Sequence, residues 1–398
     1  MVENMCTKPV YRIAVFTGSR AEYGLLKNIM NRIASDSELE LVTLVSGSHL
    51  EDKFGHTIDE IIQDGFKINY EIPMNLSSDT TDAIIHSMAI ELDRLAFIFK
   101  SERFDMLIVL GDRYELLPVC ISALISRIPI AHIHGGEISL GAIDDSIRHS
   151  ITKMATLHFT ATKEYRKRVI QMGEEPCRVF NVGAPGIENI NKLPLMTQKE
   201  LSDKYDVVFD KPLIMVTFHP ATAEEDNALI QFKNLLKVIE SHDEYNYIFT
   251  YANSDAQGQG INSMIDEFCA GHSECKSFKS MGHIGYLSML RYAFLVLGNS
   301  SSGIIEVPSF GIPTVNIGVR QEGRLRADSV IDCQATAKEI EAAINLAASD
   351  EFRKKCTSTI NPYSGNNTSQ TIVDEIKNFL YTGKGVQKRF YDLGYDQH

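Results

Sequence analysis

Short apolar runs alternate with amphipathic stretches along the whole chain. The runs are Val10–Thr17, Leu39–Ser46, Met106–Leu110, Ile128–Ile133, Leu157–Thr160 and Val179–Val182, then Leu213–Phe218, Tyr247–Tyr251, Phe294–Leu297, Thr314–Ile317 and Val330–Asp332. They are apolar at successive positions rather than alternate ones, the pattern of parallel strands covered by helices on both faces. Between them, apolar residues recur every three or four positions, as at Ile84, Met88, Leu92, Leu95 and Phe99, and at Ile230, Leu235, Val238 and Ile239. That period predicts helices with one buried stripe. Strand and helix in alternation predict a doubly wound α/β architecture. The pattern pauses at 182–185 and again in the polar stretch 191–211 before it restarts. A boundary is therefore expected near 186, giving domains 1–185 and 186–398, with the last helix packing back on the first domain. A loop at 361–369 is expected to cap a last helix of about 370–382.

A length of 398 residues, 44% hydrophobic, suits two substantial cores. The net charge of −13 argues against a nucleic-acid binder, since phosphate affinity needs clustered Lys and Arg. One small anion held by a few focused arginines remains compatible with it. Seven cysteines stand at 6, 120, 177, 269, 275, 333 and 356 without CxxC spacing, which suits a reducing compartment. The first residues run into a strand without a basic and apolar leader, and no apolar run approaches the roughly 20 residues of a membrane helix. The expected location is the cytoplasm, with no membrane contact.

In open α/β sheets ligands bind beyond the carboxyl ends of the strands, and here those positions are polar. TGSRAEYG (17–24) follows the first run and opens a helix. It is neither a dinucleotide fingerprint nor a P-loop, but a Gly-Ser-Arg turn at a helix start can hold a phosphate or sugar with Arg20. GDRYE (111–115) pins Asp112 and Arg113 at the rim of the sheet. HIHGGE (132–137) ends the next run, with Asp144, Asp145, Arg148 and His149 shortly after. Two histidines and three carboxylates fit a metal site weakly, for want of an obvious third ligand. Gly135-Gly136 suits close backbone approach to a ligand better, so no metal and no cofactor is expected. Several carboxylates in one cleft can instead divide acid and base roles. The second half carries anion-binding features: FHP (218–220), Asn253-Ser254-Asp255, GNSSSG (298–303) leading to Glu306, and Arg320, Arg324 and Arg326.

Together TGSRAEYG, GDRYE, HIHGGE, DDSIRHSITKM (144–154), FHP, GNSSSGIIEVPSFGIPTVNIGVRQEGR (298–324) and NPYSGNNTS (361–369) resemble the hydrolysing UDP-N-acetylglucosamine 2-epimerases of sialic-acid and legionaminic-acid biosynthesis. The resemblance implies a GT-B-like fold, two Rossmann-like domains with parallel sheets facing a central cleft, and a homodimer or homotetramer. It implies UDP-sugar contacts from Arg20, Arg113, His219, Asn253, Ser300, Ser301, Glu306 and Arg320. The catalytic carboxylates it implies are Asp112, Glu137 and Asp144. Many relatives carry Glu where this chain has His134, so His134 competes with Glu137 for the acid/base position, and Asp145 competes with Asp144. The expected reaction converts UDP-N-acetylglucosamine and water to N-acetylmannosamine and UDP, with UDP-diacetylbacillosamine as the alternative substrate. Outside this family, a GT-B glycosyltransferase or a nucleotide-sugar sensor would use the same UDP seat.

Overall fold

A computed structural model describes residues 10–51, 56–75, 78, 80–139, 143–220, 228–252, 258–383 and 385–394. The chain divides into two compact units, one of residues 1–137, 143–188 and 365–398, the other of residues 138–142 and 189–364.

The first unit carries strands β1 (Tyr11–Thr17), β2 (Leu39–Ser46), β3 (Tyr70–Ile72), β4 (Met106–Leu110), β5 (Ile130–Ile133), β6 (Leu157–Thr160) and β7 (Val179–Asn181). They form one parallel sheet in the order β3-β2-β1-β4-β5-β6-β7. Both faces are buried, which explains the unbroken apolar runs. Ile13 and Val15 of β1 join one core with Tyr23, Leu26 and Ile29 of helix Arg20–Ser35. Ala14 and Phe16 join another with Leu95, Val119 and Ile151 of the helices that follow β3, β4 and β5.

The last helix, Thr368–Tyr381, belongs to this unit, where Ile372, Val373, Ile376 and Phe379 complete the first core. Lys377 Nζ donates to Asp36 at 2.6 Å, and Ser369 gives its N–H and Oγ–H to Glu188 at 2.8 and 2.9 Å. Beyond it, Lys388 donates to the buried Glu174 carboxylate at 2.8 Å.

The second unit carries β8 (Leu213–Thr217), β9 (Asn246–Thr250), β10 (Cys275–Phe278), β11 (Ala293–Gly298), β12 (Thr314–Ile317) and β13 (Val330–Cys333). This sheet is also parallel, in the order β10-β9-β8-β11-β12-β13. Ile214 and Val216 face Phe232, Leu235 and Ile344 on one side, and Leu213 and Met215 face Leu201, Leu287 and Leu290 on the other.

The direction of strand addition reverses between β1 and β4 in one sheet and between β8 and β11 in the other. At such a reversal the connections leave in opposite directions and open a crevice at the carboxyl ends of the strands. Strands β3 and β10, both at sheet edges, lie outside the apolar runs. Among the described residues no helix is long and apolar enough to cross a membrane.

Candidate functional site

In the first unit the site starts where β1, β4 and β5 end. Gly111, at φ +89°, turns the chain off β4 and presents Asp112 and Arg113. His134 follows β5 at φ +65°, so the strand's alternation stops before it and does not send it to the side of His132. The two histidines have separate tasks. His132 Nε2 bonds the Gly111 carbonyl at 2.8 Å and its Nδ1 meets Thr152 Oγ1 at 3.2 Å, which ties β5 to the β4 turn and to the helix Ile143–Met154. Burial pushes the His132 imidazole down to about 3, so it stays neutral. His134 Nδ1 faces the buried Glu137 Oε1 at 2.5 Å.

Arg148 joins these groups. It is 2% exposed, projects from the helix Ile143–Met154, and donates from Nη1 to the His134 carbonyl at 2.7 Å and from Nη2 to Asp112 Oδ2. Asp112, His134 and Glu137 thus stand in one hydrogen-bonded network. Asp144 is exposed in the first turn of the same helix, and Asp145 lies 3.5 Å from His149 Nε2. Arg20 opens the helix after β1, 3.7 Å from Glu60, while Arg113 Nε donates to the buried Glu115 at 2.7 Å. The glycines of HIHGGE serve the protein's own packing: a Cβ on Gly136 would come within 2.6 Å of the Tyr165 carbonyl.

In the second unit His219 follows β8 and Asn299 follows β11, side by side at the reversal. The Asn299 amide clasps the His219 backbone, accepting from its N–H at 2.7 Å and donating to its carbonyl at 2.8 Å. The Asn299 carbonyl in turn accepts from Arg320 at 3.0 Å and Gln321 at 2.9 Å. This approach requires Gly298, whose φ is +134° and whose Cβ would meet the Thr217 carbonyl at 2.0 Å. Burial, reinforced by the Arg320 charge, holds His219 well below the usual imidazole range, so it is a neutral donor or acceptor. Ser300 caps the short helix Ser301–Ile305, with Glu306 at its carboxyl end. Arg326 is taken up by Asp332 at 2.6 Å. Asn253 lies outside the described residues.

Motif reading did not assign Arg148 a role, although its place one turn after Asp144 on the inner face of a helix was a usable signal. Glu22 and Glu115 were also missed. Chemically, the first unit offers carboxylates and an imidazole for proton transfer, and the second offers a neutral histidine, hydroxyls and an arginine for an anionic group. Among the described residues no group of three His, Cys, Asp or Glu is placed to hold a metal ion.

A family model described as UDP-N-acetylglucosamine 2-epimerase matches residues 31–377. The polysialic acid biosynthesis protein P7 of Escherichia coli is 39% identical over 96% of this chain and 97% of its own. The GDP/UDP-N,N'-diacetylbacillosamine 2-epimerase (hydrolyzing) of Campylobacter jejuni is 39% identical over 86% of this chain and 89% of its own. Among solved structures, UDP-GlcNAc 2-epimerase from Neisseria meningitidis bound to UDP-GlcNAc superposes with a TM-score of 0.80 at 14% identity, covering 93% of this chain and all of that one. That likeness shows the fold, which is GT-B-like.

Proposed function

The chain belongs to the UDP-N-acetylglucosamine 2-epimerase family, and on that premise we propose that it converts UDP-N-acetylglucosamine and water to N-acetylmannosamine and UDP. It is a 2-epimerase of the hydrolysing kind named among its relatives. The observation that carries the proposed division of labour is the network in which Arg148 ties Asp112 to His134 and its partner Glu137.

The C2 hydrogen of the sugar is not acidic, because no carbonyl stabilises a C2 anion. The C1–O bond to the diphosphate therefore breaks first, and UDP takes the electron pair. A carboxylate then removes the C2 proton and C1=C2 forms, giving 2-acetamidoglucal. Water adds its oxygen to C1 and gives up a proton to a base, while an acid delivers a proton to C2 from the opposite face. We assign the proton transfers to Asp112 and to the Glu137–His134 pair, with Asp144 and Asp145 as the further carboxylates on the neighbouring helix. His219, Asn253, Ser300, Ser301, Glu306 and Arg320, with Arg20 and Arg113, are assigned to UDP and its departing charge.

Deuterium oxide tests the whole scheme. Turnover should place deuterium at C2 of the N-acetylmannosamine, and labelled water should place its oxygen at C1. N-acetylglucosamine recovered with no deuterium at C2 refutes it. The Campylobacter jejuni relative favours UDP-N,N'-diacetylbacillosamine as the second reading, and comparing kcat/KM on the two sugars decides between them.

The working form is proposed to be a cytoplasmic homo-oligomer. Six free cysteines among the described residues suit a reducing compartment. Exposed Ile85 and Leu92 on the helix Thr81–Ser101, with Ile121, Leu124 and Ile125 on Leu116–Ile125, supply an apolar face for a second copy. Light scattering measures the oligomer.

A further inference from the structure

Three glutamates with no place in the scheme above converge where β1 and β4 end. Glu22 lies in the first turn after β1, Glu115 follows β4, and Glu91 comes from the helix Thr81–Ser101. They are 6%, 1% and 0% exposed. Gly18 N–H donates to Glu22 Oε2 at 2.8 Å. Glu115 packs against the same residue, since a Cβ on Gly18 would fall 2.8 Å from Glu115 Cγ. Arg113 Nε donates to Glu115 Oε1 at 2.7 Å. Glu22 Oε1 and Glu115 Oε2 are buried with no hydrogen-bond partner among the described residues, and the buried Glu91 carboxyl faces the Ser46 hydroxyl.

Three ionised carboxylates buried around one guanidinium would leave net negative charge in the protein interior, at a prohibitive cost. Protonation is the way out. Glu115 is the member that holds the arginine. Glu91 and Glu22 are the protonated ones.

We propose that Glu22 and Glu115 act as a buried acid pair holding one proton between them, which positions Arg113 and leaves its guanidinium net cationic toward the substrate diphosphate. The inference rests on the reading of Arg113 as a diphosphate contact. Arg113 is anchored along one edge by Glu115 while its side chain is 38% exposed, so the rest of the guanidinium can meet an anion.

Burial, then the neighbouring Glu115 charge, pushes the Glu22 carboxyl up to about 8. The other groups facing the pair are Arg113 and Asp112 on the β4 turn, Glu91, Tyr114, and His49 behind Thr17. Burial lifts Tyr114 to about 12 and lowers His49 to about 4, so both stay neutral from about pH 7 to 9.5. Burial also raises Glu91 well above its usual range. The protonated pair is the binding-competent form. As pH rises through about 8 a second carboxylate appears beside Arg113, and diphosphate affinity falls.

The test is calorimetric titration of the full chain with UDP from about pH 6.5 to 9.5. Wild-type Kd should rise roughly three- to tenfold more above pH 8 than that of Glu22→Gln, whose neutral amide cannot ionise. The ligand's own ionisations are common to every protein compared and cancel in that difference. Arg113→Met should bind UDP more weakly at every pH and also lose the extra slope, because the pair acts through the arginine. It decides the matter if Glu22→Gln fails to fold. Equal slopes in wild type and the folded variants overturn the acid pair while leaving UDP as ligand. Undiminished UDP binding by Arg113→Met overturns its diphosphate contact, and the proposal with it. No UDP binding by any protein overturns the substrate reading itself.

Discussion

Replacing Arg148 with methionine keeps most of the side-chain volume and removes both donors that bridge β4 to β5. Asp112 loses its cation and the His134 carbonyl loses its hydrogen bond. Breaking a fully buried ion pair by removing one partner costs about 3–5 kcal/mol. The Arg148 side chain is 3% exposed but that of Asp112 is 21% exposed. Solvent therefore screens one end, and about 2–3 kcal/mol is the appropriate figure. At about 2–4 °C per kcal/mol for units of this size, Tm should fall by roughly 4–12 °C. Activity should fall further than stability. Asp112 and the β5 end are aligned by the same guanidinium, and a misplacement of about 1 Å costs on the order of 10²-fold in rate. Arg148→Lys restores the charge without the planar fork and should fall between the two. UDP release under saturating UDP-N-acetylglucosamine gives kcat, and calorimetry gives Tm. An Arg148→Met protein with kcat within about twofold of wild type would refute the claim that this residue organises the site.

Asp112→Asn should lose about 10²–10⁴-fold in kcat while UDP affinity persists, as measured by turnover and titration calorimetry. His219→Ala and Arg320→Ala should each weaken UDP roughly ten- to a hundredfold by the same calorimetry, the cost of one charge-assisted hydrogen bond. Gly298→Ala should destabilise the second unit by at least about 2–3 kcal/mol in denaturant unfolding, because its φ of +134° and the Thr217 carbonyl leave no room for a Cβ. Glu174 gives a pH dependence. Burial pushes its carboxyl up, but hydrogen bonds from His158, Lys153 and Lys388 outweigh that and hold it at about 2. Its stabilisation is present above the ordinary carboxylate pKa of about 4.3 and is lost as pH falls through about 2, so Glu174→Gln should show a shallower loss of Tm across that window.

The parallel strands were legible because both faces of each sheet are covered. β2, β4, β6 and β12 run as the apolar pattern places them. The strands missed have a common cause. β3 is three residues long with one buried position, and β10 has one buried residue in four; an edge strand has too few covered positions to reveal its period. The stripe on Thr81–Ser101 is turned relative to the hydrophobic reading. Leu92 points partly to solvent, and the buried line runs through Ala83, Ser87, Glu91, Leu95 and Phe99. A carboxyl at a core position defeats any rule that reads burial from polarity. The candidate site divides likewise. Asp112, His134, Glu137, His219 and Ser300 stand after strands, where the sequence drew attention to them. Arg148 carried a signal in its place one turn after Asp144, but Glu22 and Glu115 did not, since they lie 93 positions apart and meet only through the turns after β1 and β4.

The placing of the helix Thr368–Tyr381 bears on how the protein is made. Nearly all of the second unit lies within 189–364, so a ribosome has finished it before the last piece of the first unit, 365–398, exists. Until then Ile13, Leu26 and Ile29 lack the cover of Ile372, Val373, Ile376 and Phe379. Four such side chains, at about 1.5–3 kcal/mol each, rival the whole stability of an ordinary domain. The core of the first unit is thus left open until 365–398 has been made, with an apolar stripe exposed in the meantime.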